Sequence, residues 1–182
     1  RGVRLLCIAL ALTVVTAVIM PMMNFEGAEI YFGILHLLSL SMLIFSALRA
    51  GLDKINPIVG FVLCIVIYIL TYGVSAGFVG IAGLKTFALP AALYKTNYFM
   101  PLGFFNSSFH SADYFPLLPH LFMFLAGTFI GIYAANGRFP AFTYRRRSRA
   151  LCFLGRHALV IYIAHQPVIF GILWVVEKII AK

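Results

Sequence analysis

Pro57-Ile58-Val59-Gly60-Phe61-Val62-Leu63-Cys64-Ile65-Val66-Ile67-Tyr68-Ile69-Leu70-Thr71-Tyr72-Gly73-Val74-Ser75-Ala76-Gly77-Phe78-Val79 carries no charged side chain from end to end. A helix needs roughly 20 apolar residues to cross about 30 Å of hydrocarbon, and a spanning segment must satisfy its own backbone polar groups. The stretch therefore reads as a transmembrane helix. Four further apolar runs, at 5–23, 31–49, 117–135 and 152–176, have the same character. The composition agrees: 63% of the 182 residues are hydrophobic and 10% charged, outside the range of soluble domains. The expected fold is all-α, a polytopic transmembrane helix bundle of about five spans, with residues 1–182 forming a single domain.

The net charge of +9 is no sign of nucleic-acid binding, because the cations gather at helix ends. With the chain start placed inside, Arg1, Arg4, Arg49, Lys54, Arg138, Arg145, Arg146, Arg147, Arg149 and Arg156 fall on the inner side. Lys85, Lys95, Lys178 and Lys182 fall outside. The excess of basic residues on cytoplasmic loops then puts the chain start and the 136–151 loop in the cytoplasm and the C-terminus outside. The chain opens on Arg1 in mid-pattern, and further helices are expected upstream. Cys7, Cys64 and Cys152 all lie in apolar runs and read as small core residues rather than disulfide partners.

The short turn at 49–57 predicts that the second and third spans are antiparallel neighbours. Gly73 with Gly77, and Gly127 with Gly131, form small-xxx-small pairs suited to close helix approach, and hence to a homo-oligomer through small-residue faces. Residues 81–116 form the one long outer segment. Its 85–95 part reads as interfacial, and its 97–116 part, rich in aromatic residues, as a loop that folds back over a site.

Ionisable groups within spans are costly and mark functional candidates. His165 is expected near mid-span, with Tyr162 on the same helical face, Gln166 adjacent and Pro167 freeing a carbonyl one turn back. His36 is expected below the outer surface with Ser39 at i+3, and its neutral imidazole suits general-base work. His110, Asp113 and His120 flank the start of the fourth span and suit a polar substrate at the outer face. Their spacing matches no standard zinc pattern, so no metal is expected. The run Arg145-Arg146-Arg147-Ser148-Arg149, with Arg156 beyond it, suits positive-inside anchoring, or phosphate recognition on a cytoplasmic donor.

Three segments carry a family resemblance. They are Phe32-Gly33-Ile34-Leu35-His36, Asp113-Tyr114-Phe115-Pro116-Leu117-Leu118-Pro119, and Gly155-Arg156-His157-Ala158-Leu159-Val160-Ile161-Tyr162-Ile163-Ala164-His165-Gln166-Pro167. In order and spacing the chain resembles bacterial membrane proteins related to heparan-alpha-glucosaminide N-acetyltransferase. The resemblance implies a transmembrane acyltransferase of the bacterial inner membrane. It implies acetyl-CoA or another acyl-CoA as donor and a saccharide or glycolipid acceptor on the outer face. His165 matches the family's late-helix histidine, and His36 is the second catalytic candidate. Arg145, Arg146, Arg147 and Arg156 lie on the side where a CoA donor would bind. His110, Asp113, His120 and Tyr162 are candidates for the acceptor. Proteins of this kind usually begin with a helix bearing an Asp-x-Leu-Arg-Gly-type motif, absent here. Two other readings stand beside it: a transporter or flippase for a lipid-linked or anionic solute, and a non-catalytic membrane assembly subunit.

Overall fold

The computed structural model describes residues 1–22, 27–81, 84–144 and 148–180. Contacts divide the chain into two compact units, Arg1–Arg138 and Phe139–Lys182.

In the first unit, α1 (Gly2–Val14), a π turn (Val15–Ile19) and α2 (Met20–Met22) run on as one rod, Gly2–Met22. Then follow α3 (Ile34–Leu52), α4 (Pro57–Thr71) and α5 (Leu117–Ala135). Among the described residues these make four helices long and apolar enough to cross a membrane, so the chain is a helical membrane bundle. The start of α4 follows from its sequence. Asn56 Oδ1 accepts the Ile58 N–H at 3.0 Å, and Pro57 occupies the first turn, where it has no N–H to leave unsatisfied.

The packing order differs from chain order. α1 lies antiparallel on α3, with Gly2 beside Leu43 at one end and Thr13 beside His36 at the other. α4 lies antiparallel on α5, where Gly60 meets Phe129 and Tyr68 meets His120. α3 packs mainly against α1 and α5, not along α4 as the short 49–57 turn had suggested. The reason is the core. Cys64 of α4 is buried with Leu125, Ala126 and Phe129 of α5, and α3 adds Phe45 and Leu52 at the edge of that cluster.

The glycine pairs also behave differently from expectation. α4 ends at Thr71, and Gly77 and Gly80 have φ of +90° and +127°, a region open to glycine, so Gly73 and Gly77 form no helical pair. The chain here turns into an antiparallel hairpin, β1 (Phe78–Ile81) with β2 (Lys85–Ala88), rather than continuing the span or forming an interfacial stretch. A Cβ on Gly127 or Gly131 would meet nothing within 4 Å among the described residues. The close approach is made by Gly60, where a Cβ would stand 2.5 Å from the Phe129 ring. Gly60→Ala is therefore expected to cost net stability. Overpacking costs about 1–3 kcal/mol, and the gain in helix propensity offsets about 1 kcal/mol of it. Gly127→Ala and Gly131→Ala should be neutral or slightly stabilising. Thermal melts of the detergent-solubilised variants check the contrast.

In the second unit, α6 (Arg149–Arg156) is capped by Ser148, whose Oγ accepts the Leu151 N–H at 3.3 Å. It ends at His157, and α7 (Ala158–Ile180) follows. The fifth apolar run is thus two helices, and its long helix begins at Ala158 rather than at residue 152. The cause is local: His157 takes a non-helical conformation and its Nδ1 turns back to the Phe153 carbonyl at 2.9 Å. Of the cysteines only Cys64 is buried; Cys7 and Cys152 are exposed, so they are not core residues of their units.

Candidate functional site

At the end of the bundle where α3 and α5 begin, two strands of loop run side by side. The Ala112 N–H donates to the Glu29 carbonyl at 2.8 Å, and the Phe115 N–H to the Phe32 carbonyl at 3.1 Å. Phe32 and Tyr114 form a parallel bridge. The Tyr31 N–H donates to Ser111 Oγ at 3.3 Å, and that hydroxyl donates to the Asp113 carbonyl at 2.9 Å. Two sequence segments some eighty positions apart are thereby one structural unit.

Asp113 closes this unit on α3. Its Oδ2 accepts the Ile34 N–H at 3.1 Å, one of the donors that an α-helix leaves unpaired at its start. A carboxylate there also meets the positive end of the helix dipole. The fit demands glycine at position 33, since a Cβ would lie 2.3 Å from Asp113 Oδ2.

His36 follows in the first turn of α3, and is 5% exposed. Its ring stacks on Phe32 at 5.4 Å, and its Nε2 lies 3.4 Å from Thr13 Oγ1. It is nearer the helix end than a span starting at residue 31 implies, because the residues before Ile34 belong to the loop unit. Ser39 does not serve the imidazole: its hydroxyl donates to the His36 carbonyl at 2.9 Å. Thr13 was not singled out in the sequence, although Thr13 and Thr16 are the two hydroxyls of an otherwise apolar span. Thr16, within the π turn, donates to the Leu12 carbonyl at 2.9 Å and accepts the buried Ile30 N–H at 3.1 Å. It pins the entry of the loop unit to the first helix.

Two clefts open at this end. One, of about 780 Å³, is lined by Glu29, Tyr31, Asn97, Met100, Phe109 and His110 among others. The second, of about 390 Å³, is lined by Tyr72, Ser75, Phe105, Tyr114 and His120 among others. The 97–116 loop contributes to both, as expected of a segment that folds back. His120 Nδ1 lies 3.0 Å from the Pro116 carbonyl, with its ring against Phe115 and Tyr68. His110 and His120 therefore border separate clefts, and Asp113 is engaged on the α3 backbone.

Burial pushes the Tyr114 phenol well above its ordinary range, and Tyr94 in the same direction. A raised phenol is a proton held by the fold. The stability it brings is complete below about pH 10, the ordinary tyrosine value, and is lost as pH climbs through the raised one. Tyr114 also donates to the Met100 carbonyl at 2.6 Å. Tyr114→Phe should lose about 1 kcal/mol at neutral pH, and the gap to the parent should close above about pH 10. Melts recorded between neutral and alkaline pH check it.

In the second unit, His165 sits about two turns into α7 rather than at mid-helix. It is exposed within that unit, its Nδ1 bonded to the Tyr162 carbonyl and its ring 5.3 Å from that of Tyr162. The imidazole edge bearing Nε2 is the one left for chemistry. Arg156 lies exposed in the last turn of α6. Arg145, Arg146 and Arg147 lie outside the described residues, as do the side chains of Gln166 and Pro167.

The family model described as heparan-alpha-glucosaminide N-acetyltransferase, catalytic, matches residues 1–167. That stretch includes His36, Asp113, His120, Arg156, Tyr162 and His165. No curated protein and no solved structure matches the chain.

Proposed function

The chain belongs to the heparan-alpha-glucosaminide N-acetyltransferase family, and from that membership we propose an integral membrane acyltransferase. It takes an acetyl or other acyl group from an acyl-CoA on the cytoplasmic side. It delivers that group to an amine or hydroxyl of a saccharide on the outer side. The observation that carries this reading is the match of a catalytic family model to residues 1–167 of a chain built from membrane-spanning helices.

The chemistry asks for three things. The donor's phosphates need cations, which Arg145, Arg146, Arg147 and Arg156 provide on the positive-inside assignment. The acceptor needs a cleft, and the two at the His36 end suit a polar, ring-shaped molecule. The acceptor's N–H or O–H needs a base as its lone pair attacks the thioester carbonyl. The C–S bond breaks, and the proton passes through the base to the departing thiolate. His36 and His165 are the histidines proposed for that work. Asp113, which fixes the first turn of α3, holds His36 in place rather than touching the acceptor.

Calorimetry of acetyl-CoA binding to the purified protein in detergent, with CoA alone as control, tests the reading. Saturable binding, weakened when Arg145, Arg146 and Arg147 become Gln, is expected. A folded sample that binds neither ligand would overturn it and leave a transport or assembly role. Solute flux in proteoliposomes then separates those two.

A further inference from the structure

The cleft bearing His120 does not end at its polar wall. Tyr72 lines it, and Tyr72 also lines a second, smaller groove of about 220 Å³ walled by Tyr68, Ile69, Phe78 and Ile81. The two spaces therefore share one aromatic edge, and Tyr68 touches both Tyr72 (5.9 Å between ring centres) and His120 (6.3 Å). Their chemistry differs. The first presents the His120 imidazole, the Tyr72, Phe105 and Tyr114 rings, and the Ser75 hydroxyl. Ser75 Oγ is buried and has no hydrogen-bond partner among the described residues. Such a buried polar atom costs free energy unless something pairs with it. The second space is walled by aliphatic and aromatic carbon, between the end of α4 and strand β1.

A polar, aromatic-walled cavity running into an apolar groove, at the tyrosine-rich end of membrane helices, is complementary to a molecule with the same division. We propose that the acceptor, on the acyltransferase reading above, is an amphiphile. Its saccharide ring occupies the cleft of His120 and Ser75, and its alkyl chain lies in the groove of Tyr68, Ile69 and Ile81. The class is a lipid-linked sugar rather than a free one. Rings stack on sugar faces and hydroxyls, while each methylene of the chain gains by leaving water or disordered lipid for the groove.

Photolabelling tests this without relying on acyl transfer. The full chain is placed in phosphatidylcholine nanodiscs with an octyl glucosaminide that carries a diazirine on its alkyl chain, and adducts are mapped by mass spectrometry. Saturable labelling within residues 68–81 is expected, displaced by octyl glucosaminide but not by octanol. An alkyl chain also concentrates any ligand in the bilayer, so a second arm is needed. Ile69→Trp fills the groove and leaves bilayer partitioning unchanged. It should lower the saturable labelling by about tenfold, the cost of displacing a few methylenes. Labels spread over the outward faces of α3 to α5, or labelling indifferent to Ile69→Trp, would mean annular contact only and would overturn the proposal. Specific labelling in a protein that binds no acetyl-CoA would instead overturn the acyltransferase reading and leave the amphiphile site standing.

Discussion

Replacing Gly33 by alanine is expected to cost about 2–3 kcal/mol of stability, the scale of a lost helix cap with a charged acceptor. The backbone itself would tolerate the change, since Gly33 has φ of −92°, open to any residue. The cost is steric. The new Cβ would stand 2.3 Å from Asp113 Oδ2 and 3.0 Å from Ile30 Cγ2. Ile30 is fully buried and held by Thr16, so the carboxylate is the group that gives way, and the Ile34 N–H loses its acceptor. Releasing Asp113 frees the 111–115 loop from the start of α3 and lets the His36 turn fray. The test is a double-mutant cycle. Gly33→Ala combined with Asp113→Ala removes clash and cap together, so it should be little worse than Asp113→Ala alone, with a coupling of about 1–2 kcal/mol. Additive losses in detergent melts would show that the two residues act separately.

This contact also shows what could be read from the sequence and what could not. Apolar runs located the helices, and the run at 117–135 coincides with α5. They failed at the third span, where residues 72–79 are as apolar as what precedes them. There the departure from the helix is made by Gly77 and Gly80 in positive-φ conformations, and periodicity and hydropathy do not distinguish the resulting hairpin from more helix. The short 49–57 turn was read as making neighbours of α3 and α4. A turn fixes direction, whereas the partner is chosen by which faces bury most, and the Cys64, Leu125, Ala126 and Phe129 cluster joins α4 to α5 instead.

The candidate site was legible residue by residue but not as an arrangement. His36, His110, Asp113, His120, Tyr162 and His165 stood out because ionisable or polar groups beside a bilayer are costly. No sequence period links Gly33 to Asp113, or Thr13 to His36, because both contacts are made across elements. Ser75 and Phe105 looked like ordinary positions in an apolar segment and an aromatic loop. Their interest appears only once the chain folds over the start of α5.

His36→Ala and His165→Ala are each expected to lower acyl transfer by about 10²–10⁴-fold, the usual contribution of a positioned acid or base. Their structural costs should differ. His36 is 5% exposed, stacked on Phe32 and next to Thr13, so its truncation also opens a hole in the packing. His165 is exposed within its own unit and its ring rests on Tyr162, so its loss should leave the melt unchanged. Activity alone therefore cannot assign a role to His36, and acetyl-CoA binding is measured on both variants. A His36→Ala protein that melts near the parent temperature, binds the donor and fails to transfer has lost a base. One that loses donor binding and melts early has lost a packing element, and His36 leaves the mechanism. For His165 the decisive arm is rescue. Its exposed position admits free imidazole from solution, so added imidazole should restore part of the turnover of His165→Ala. Full turnover of that variant without rescue would leave His36 as the proton acceptor. Its inactivity with rescue would identify the late-helix histidine as the group that moves the proton.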